Sequence, residues 1–279
     1  MSRSNTPISI YNRGAKKTEE EKIYGEGIMR LFYESAAGRA TLENIFTRPW
    51  FSKVYGAYKS TSYSAKAVPK FIKDFKIPME EFEPTTYDSF NDFFIRKFKP
   101  GMRKFPKEKN ALGAFAEGRY LAYQSASPDL SFPVKGVHLT ATKLLGDPER
   151  AKIFEGGPLI ISRLCPVDYH RFHYPDDGIT VEAYPVHGNL HSVNPIALKY
   201  CPEIFIKNER EVSILKTENF GYLAYIEVGA LCVGKIVQTH HIQESVKVGD
   251  HQNSPFKRGD EKGYFLFGGS TVVMLAEKD

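Results

Sequence analysis

The residue types that could do chemistry point first to a short stretch near the C-terminus, where Ser270 follows two glycines. Gly268 and Gly269 permit backbone angles that other residues resist, so the Gly269 carbonyl could be held open to attack by the Ser270 hydroxyl. That geometry suits an internal N-to-O acyl shift. Taken alone, the stretch is explained more simply as a strand broken by a Gly-Gly kink or bulge.

The chain also supplies residues that could activate a serine. Glu117 lies beside a glycine ahead of a predicted strand, and His170 and His173 lie three residues apart in one polar segment. A histidine can act as general base to a serine, and a carboxylate can orient that histidine. Glu117, His173 and Ser270 therefore form a candidate catalytic set, whose members need to meet only in space.

A metal site is the main chemical alternative for these histidines. His170 and His173 could bind a metal ion together with His187 or His191. The sequence contains no HExxH motif, which weakens this alternative.

Composition is that of an ordinary soluble globular protein. The 279 residues are 42% hydrophobic and 25% charged. The net charge of +5 suits an acidic membrane surface or an anionic substrate, and it is too diffuse to indicate nucleic acid. The three cysteines are widely spaced and form no CxxC pair, which favours a reducing compartment.

No secretion signal or membrane-spanning helix is predicted. Residues 1–21 are polar and charged and lack an apolar core segment. No uncharged run reaches the roughly 18 residues that a spanning helix requires. We therefore expect a protein that does not span a bilayer but lies on one, as a peripheral protein on the cytoplasmic side.

Residues 22–75 show apolar residues at helical spacing with lysines between them. Such a basic, aromatic and amphipathic region can settle at a lipid interface, although packing on the protein's own core explains any single helix as well. The side chains that we expect to enter the interface are Leu31, Phe32, Trp50, Phe51, Phe71 and Ile72.

A short aromatic helix is predicted within residues 87–98, capped by Asp88 or Ser89. Turn residues end it, so we place a domain boundary near residue 105. Residues 1–105 would form a helical, membrane-associating region, and residues 106–279 a β-rich catalytic domain.

After residue 106 the pattern changes to short β-prone runs between Gly, Pro, Asn and Asp clusters. Few helical crossovers separate the runs, so we expect an α+β fold with a mainly antiparallel core of barrel or sandwich form. The predicted strands are Tyr120–Tyr123, Leu159–Leu164, Ile179–Val186, Tyr222–Val228, Leu231–Val237 and Tyr264–Phe267.

The motifs, taken in order, resemble the phosphatidylserine decarboxylase family from about Gly25 onward. Gly269-Ser270-Thr271 resembles the self-cleavage site of that family, and Asp168–His173 resembles its histidine motif. The other stretches that match in order and spacing are Tyr87–Phe98, His191–Pro195, Glu227–Gly234 and Arg258–Gly263.

The resemblance implies a proenzyme. Ser270 would attack the Gly269 carbonyl, with His173 as base and Glu117 as the carboxylate behind it, and β-elimination would then turn Ser270 into a pyruvoyl group. The products would be chains 1–269 and 270–279, and the ten-residue chain would stay in the core as a β-strand.

For the processed enzyme, the resemblance implies a Schiff base between the pyruvoyl carbonyl and the amine of phosphatidylserine, with the carbonyl as electron sink. Carbon dioxide would leave and phosphatidylethanolamine would be released, with His170 acting in the decarboxylation step. The cofactor is made from Ser270, and no metal is expected.

Two positions depart from the family pattern. Glu117 stands where the family usually has Asp, so the carboxylate is one methylene further from the backbone. Gly268 stands where Leu is commoner, and we expect it to cost some rigidity at the cleavage site.

A second class of function stays open, namely a non-catalytic or metal-using β-domain of the lipoyl-carrier or hybrid-barrel kind. The stretch Val246–Asp250 resembles the turns of such domains. No convincing exposed lysine for a lipoyl group is apparent at a hairpin tip, and fold does not fix function. The sequence leaves a homodimer open.

Overall fold

The structure is a computed structural model that describes residues 9–21, 23, 25–125, 139–232, 235–239 and 254–278. Helices dominate the N-terminal part and antiparallel strands the rest, which confirms the predicted α+β class. The α-helices are α1 (Glu26–Glu34), α2 (Ala36–Thr41), α3 (Pro49–Lys59), α4 (Ser62–Ala65), α5 (Val68–Phe75), α6 (Phe90–Phe94), α7 (Ala141–Leu145), α8 (Pro148–Ala151), α9 (Pro195–Tyr200) and α10 (Ile204–Lys207). A π-helical turn spans Leu42–Phe46, and 3-10 turns span Met79–Glu81 and Lys152–Phe154.

The strands form three sheets. The described strands are β1 (Ser9–Asn12), β2 (Lys17–Glu20), β3 (Arg119–Tyr123), β4 (Leu159–Leu164), β5 (Arg171–His173), β6 (Gly178–Val186), β7 (Arg210–Thr217), β8 (Tyr222–Val228), β9 (Ile236–Gln238), β10 (Ser254–Phe256), β11 (Glu261–Phe265) and β12 (Ser270–Ala276). β1 pairs with β2, and β5, β11 and β9 form a three-stranded sheet.

The large sheet has seven antiparallel strands in the order β10-β6-β7-β8-β12-β4-β3. Among the described strands it stays open, with β10 and β3 at its edges, so the barrel form of the prediction is wrong. β12 lies near its centre, where Ser270 pairs with Leu164 of β4 and Thr271 with Val228 of β8. Residues 270–275 are buried, and the four residues from Val272 to Leu275 form the continuous apolar run expected of a strand between two neighbours.

Most strand predictions are confirmed, and one predicted strand begins later in the chain than expected. The runs starting at Tyr120, Leu159, Ile179 and Tyr222 all form strands close to the predicted bounds. Leu231 instead lies in a turn, and the strand begins only at residue 236. The predicted turn at 246–250 lies outside the described residues.

Helical spacing correctly predicted most of residues 26–75 as helix. The aromatic helix α6 is also confirmed, and of the two predicted caps it is the Ser89 hydroxyl that accepts a hydrogen bond from the Asp92 amide. Among the described residues, no helix has the length and apolar character needed to cross a membrane.

Two hydrophobic clusters join the N-terminal helices to the β-rich part. Tyr33 and Leu42 belong to the larger cluster, which contains the sheet residues, and Phe71 belongs to a smaller cluster with Tyr169 and Phe267. Because Phe71 is only 6% exposed, the expectation that it enters a membrane is wrong. The domain boundary near residue 105 stays a prediction.

Candidate active site

Ser270 is the first residue of β12 and is fully buried. Its Oγ lies 3.2 Å from Nδ1 of His170, which is also fully buried. The structure thus brings the expected nucleophile together with one of the two histidines of the Asp168–His173 segment.

The second ring nitrogen of His170 determines what the first can do. Nε2 lies 2.8 Å from the carbonyl oxygen of Cys165. A carbonyl only accepts hydrogen bonds, so Nε2 must carry the proton and Nδ1 is left as an acceptor. The Ser270 hydroxyl can therefore donate to Nδ1, which is the arrangement of a nucleophile and its general base.

Packing and burial keep His170 in the neutral form. The ring of Phe94 stacks on the imidazole with centroids 3.9 Å apart. The pKa of His170 is lowered to about 3, chiefly by burial and to a smaller extent by the charge of Arg96, although the hydrogen bond to Cys165 acts to raise it. At neutral pH the imidazole is therefore uncharged, and its Nδ1 can accept a hydrogen bond from the Ser270 hydroxyl.

The turn before Ser270 depends on a glycine at position 268. Gly268 has φ = 143°, a backbone angle that residues with a side chain rarely adopt. A Cβ at Gly269 would lie 3.4 Å from Cγ2 of Val193, which is van der Waals contact. The glycine that departs from the family pattern thus occupies the position where only glycine fits without strain.

Helix α6 holds this turn in place. The backbone amide of Phe267 donates a hydrogen bond of 2.8 Å to Oδ1 of Asn91. Nδ2 of Asn91 in turn donates to the Gly56 carbonyl within α3 and to the hydroxyl of Ser60, which caps the end of α3. Sequence reasoning recognised residues 87–98 as a family motif but missed this anchoring by Asn91. The sequence feature that could have indicated this role is a polar residue, Asn91, among the phenylalanines of a short helix.

His173 and Glu117 lie together at a different cavity of about 430 Å³, which Arg103 also lines. Nδ1 of His173 is 3.0 Å from the Gly259 carbonyl and Nε2 is 3.4 Å from the Tyr169 hydroxyl. Glu117 is paired with Arg103. Within the described part of the chain, no hydrogen bond joins His173 to Ser270 or to Glu117, so the expected catalytic set is not assembled in this uncleaved form.

His191 has a separate environment. It is buried, and its Nε2 lies 3.6 Å from a carboxylate oxygen of Glu43. His187 is exposed. In the ranges that the structure describes, no three or more His, Cys, Asp or Glu side chains are gathered in a way that could hold a metal ion.

A cavity of about 250 Å³ adjoins the peptide that would be cut. Gly268 and Gly269 form part of its wall, and Ser192 and Asn194 contribute polar groups. The apolar lining comes from Ile23, Ile28, Met29, Tyr55, Leu231 and Phe267. A small polar group that enters this cavity would reach the start of β12.

The structure thus places a buried serine, whose hydroxyl contacts a buried histidine, directly after a Gly-Gly turn and at the start of a central strand. The family model of phosphatidylserine decarboxylase matches residues 90–279. The phosphatidylserine decarboxylase proenzyme of Clostridium novyi (strain NT) is 42% identical over 274 residues, which cover 98% of this chain and 90% of the relative. That of Clostridium botulinum (strain Hall) is 41% identical with the same coverage, and that of Clostridium beijerinckii is 39% identical over 97% of this chain and 89% of the relative. The chain belongs to the phosphatidylserine decarboxylase family.

Proposed function

We propose that this protein is a proenzyme that cuts its own Gly269–Ser270 peptide bond and then decarboxylates phosphatidylserine to phosphatidylethanolamine. The observation that carries the proposal is the 3.2 Å contact between Oγ of Ser270 and the unprotonated Nδ1 of His170 at that bond. The names of the curated relatives, which are phosphatidylserine decarboxylase proenzymes, support it.

Cleavage begins with proton transfer from the Ser270 hydroxyl to His170. The oxygen attacks the Gly269 carbonyl carbon, the C–N bond breaks, and an ester with a free amine at residue 270 results. Loss of the α-proton of residue 270 expels the Gly269 carboxylate and leaves dehydroalanine. Water then replaces the nitrogen, which leaves as ammonia, so that residue 270 becomes a pyruvoyl group.

Residue 270 is well placed to hold such a group. It begins a strand that is paired on both sides, and the cavity beside Gly269 offers an approach for a headgroup. When formed, the pyruvoyl carbonyl supplies the electron sink that decarboxylation requires. The stacked ring of Phe94 excludes water from one face of His170. Once the hydroxyl is gone, Nδ1 of His170 could take up a proton released by the substrate amine and pass it to the product carbon.

We assign the base in cleavage to His170 on this geometry, whereas the family resemblance assigns it to His173. His173 and Glu117 share a cavity and remain a candidate pair that acts after a rearrangement. The two assignments predict different variants to be blocked, and the experiment below compares them.

We further propose that the enzyme works as a peripheral protein on the cytoplasmic side of a membrane. On α3, Trp50, Val54 and Tyr58 recur every four residues and are all exposed, so they form one apolar face. On α1, Ile28 and Leu31 are exposed, and Ile28 also lines the cavity beside Gly269. A membrane against these helices would lie next to the mouth of the proposed site.

Leaving the lipid tails in the bilayer has a physical motive. The cavity of about 250 Å³ is smaller than the ~300–1,000 Å³ typical of small-molecule sites, so it suits a headgroup and not two acyl chains. Withdrawing the chains into water would cost about 0.8 kcal/mol for each exposed methylene. The cysteines Cys165, Cys201 and Cys232 are all unpaired, in keeping with a reducing compartment. A homodimer stays a prediction.

Intact-mass measurement on the purified protein tests the proposal. We expect wild type to give two chains, with a loss of ammonia at the new end of the shorter one, and Ser270→Ala to stay one chain. His170→Ala should slow cleavage by roughly 100-fold or more, which is the usual contribution of a general base. A single uncut wild-type chain would contradict self-processing.

Comparison of two histidine variants decides the base. If His173→Ala or Glu117→Ala abolishes cleavage while His170→Ala cleaves at the wild-type rate, the base is His173 and the contact seen between His170 and Ser270 is not the reactive one. The non-catalytic alternative predicts one uncut chain for every variant.

A further inference from the structure

An ion cluster forms part of the wall of the cavity beside Gly269. Glu21, Arg163 and Cys165 line the cavity, and Arg119 and Asp168 lie behind them. The proposed catalytic groups make no use of Arg163 or Glu21, and sequence reasoning did not select either residue.

Arg163 and Glu21 form a close, buried pair. Nη2 of Arg163 lies 2.7 and 2.6 Å from the two carboxylate oxygens of Glu21. The Glu21 side chain is only 1% exposed and that of Arg163 is 12% exposed. The Cys165 thiol lies 2.9 Å from the same carboxylate, and because burial raises the pKa of this thiol to about 12, it stays protonated and donates.

Glu21 is charged in this setting. Burial alone would raise its pKa, but the hydrogen bonds and charges of Arg163, Cys165 and Arg119 outweigh burial and lower the pKa. The pair is therefore an ion pair, in which a carboxylate from the N-terminal segment occupies the anion-binding face of a cavity-lining guanidinium.

The charge of Arg163 would be left without a partner if Glu21 moved away. Arg119 has a second carboxylate partner in Asp168, whereas within the described ranges Glu21 is the only carboxylate paired with Arg163. Without it, Arg163 would be a nearly buried, unneutralised cation beside the cavity, and such a cation requires an anion.

Among the described strands, the hairpin that precedes Glu21 makes no strand pairing with the rest of the fold. Glu21 follows β2, which pairs with β1 in a sheet of only those two strands. An isolated two-stranded hairpin is marginally stable in water. Displacing Glu21 would therefore disturb neither the large sheet nor the turn at Gly268.

We propose that Arg163 binds the phosphodiester of the substrate headgroup, and that Glu21 occupies this position until the substrate displaces it. The proposal rests on the proposed function. A guanidinium can match a phosphate with two parallel hydrogen bonds. In the uncleaved chain a single nitrogen of Arg163, Nη2, contacts both carboxylate oxygens of Glu21, while Nη1 donates to Sγ of Cys165.

The phosphate is a better partner for Arg163 than the substrate carboxylate. The carboxylate loses its charge as carbon dioxide leaves, so a guanidinium bound to it would stabilise the ground state more than the transition state. The phosphodiester keeps its charge throughout. Binding it fixes the headgroup without opposing the reaction.

Equilibrium binding to the uncleaved Ser270→Ala chain tests the proposal without relying on catalysis. The probe is glycerophosphoserine, followed by calorimetry. Adding Glu21→Gln should tighten binding by roughly tenfold or more, because the competing charge is removed from a charge-assisted contact. Adding Arg163→Gln to that variant should abolish the gain. Glu20→Gln, an exposed carboxylate on the same hairpin, is the matched control and should change nothing.

Two further arms keep the outcome decisive. Glycerol phosphate should show the same dependence on Glu21 and Arg163, whereas serine, which has the carboxylate but no phosphate, should show none. If Glu21→Gln binds glycerophosphoserine no more tightly, or if serine shows the same gain, the assignment to the phosphate is overturned. If the Arg163→Gln chain does not fold, Arg163→Lys replaces it and should lose most of the gain, since a lysine lacks the two-pronged contact.

Turnover gives an independent check in chains that do process themselves. Glu21→Gln should lower KM for short-chain phosphatidylserine with kcat little changed, and Arg163→Lys should raise it. Failure of wild type to cleave itself would refute the proposed function but leave the binding result standing, so the two failures are distinguishable.

Discussion

The buried, neutral His170 should make the uncleaved chain sensitive to acid. Its pKa is about 3 in the folded chain, where burial lowers it, and about 6.5 in the unfolded chain. As pH falls below 6.5, the unfolded state takes up a proton that the folded state refuses, so the free energy of unfolding falls and keeps falling until pH approaches 3. Stability due to this group is therefore fully present above pH 6.5 and is lost towards acid.

The magnitude follows from the width of that window. One proton taken up only by the unfolded state changes stability by about 1.4 kcal/mol per pH unit, so lowering the pH from 7 to 5 should cost about 2 kcal/mol from His170 alone. Burial also lowers the pKa values of the half-buried His173 and the buried His191, which add a loss of the same sign. A difference between two variants is needed to isolate His170.

Urea unfolding of Ser270→Ala, which stays uncleaved, supplies the measurement. Between pH 7 and pH 5 it should lose about 2 kcal/mol more stability than the Ser270→Ala, His170→Gln double variant, which lacks the titrating imidazole. A Ser270→Ala, His187→Gln variant loses only an exposed imidazole and should follow Ser270→Ala. If the free energy of unfolding changes with pH in the same way for Ser270→Ala and for the Ser270→Ala, His170→Gln double variant, His170 is not held neutral. The assignment of its tautomer would then fail as well.

Two further predictions concern the cleavage turn and the membrane face. Gly268→Ala should slow self-cleavage by roughly tenfold or more in a mass time course, because its φ of 143° would be strained by about 1–3 kcal/mol, whereas Gly269→Ala should cleave within a few-fold of wild type. Equal cleavage rates of Gly268→Ala and Gly269→Ala would show that backbone strain at residue 268 does not limit cleavage. A Trp50→Ser, Val54→Ser variant should sediment roughly tenfold less with phosphatidylserine liposomes, since it loses two side chains that would be partly buried in lipid. Tyr11→Ser, which alters an exposed aromatic on β1, is the control, and equal sedimentation of all three chains would exclude α3 from the membrane face.

The pattern of apolar residues predicted the bounds of a strand correctly where apolar residues dominate that strand. β4 and β8 match their predicted bounds because apolar residues dominate both strands, and every residue of β8 after Tyr222 is buried. β7 was missed because it begins with Arg210 and Glu211, which are typical of a surface loop. Arg210 is in fact buried, and its guanidinium donates to the carbonyls of Leu144, Lys143, Ile206 and Asn208. A buried arginine that is satisfied by backbone carbonyls leaves no pattern in sequence.

The choice between the two histidines also could not be made from spacing. Residue types and the family motif predict a serine, a histidine and a carboxylate, but not which histidine reaches Ser270. That is settled by the turn from Cys165 to Asp168, in which the Asp168 amide donates to the Cys165 carbonyl. The same carbonyl also binds His170, so one backbone atom both closes the turn and sets the tautomer of the ring. A motif of residue types does not show where one backbone carbonyl points, so it could not predict this contact.

The position of the proposed cleavage site, between Gly269 and Ser270, is one at which a cut would leave the fold intact. Ser270 is the first residue of β12, and β12 pairs with β4 over residues 270–275 and with β8 over 271–276, so a cut before Ser270 breaks no strand pairing. The new N-terminus would stay fixed by the centre of the large sheet, facing His170. On the other side of the cut, Phe267 remains bound to Asn91 and packed on α6, so the new C-terminus at Gly269 is anchored by different contacts. Because different contacts hold the residues on each side of this bond, we expect a cut to leave both new ends in place without unfolding either.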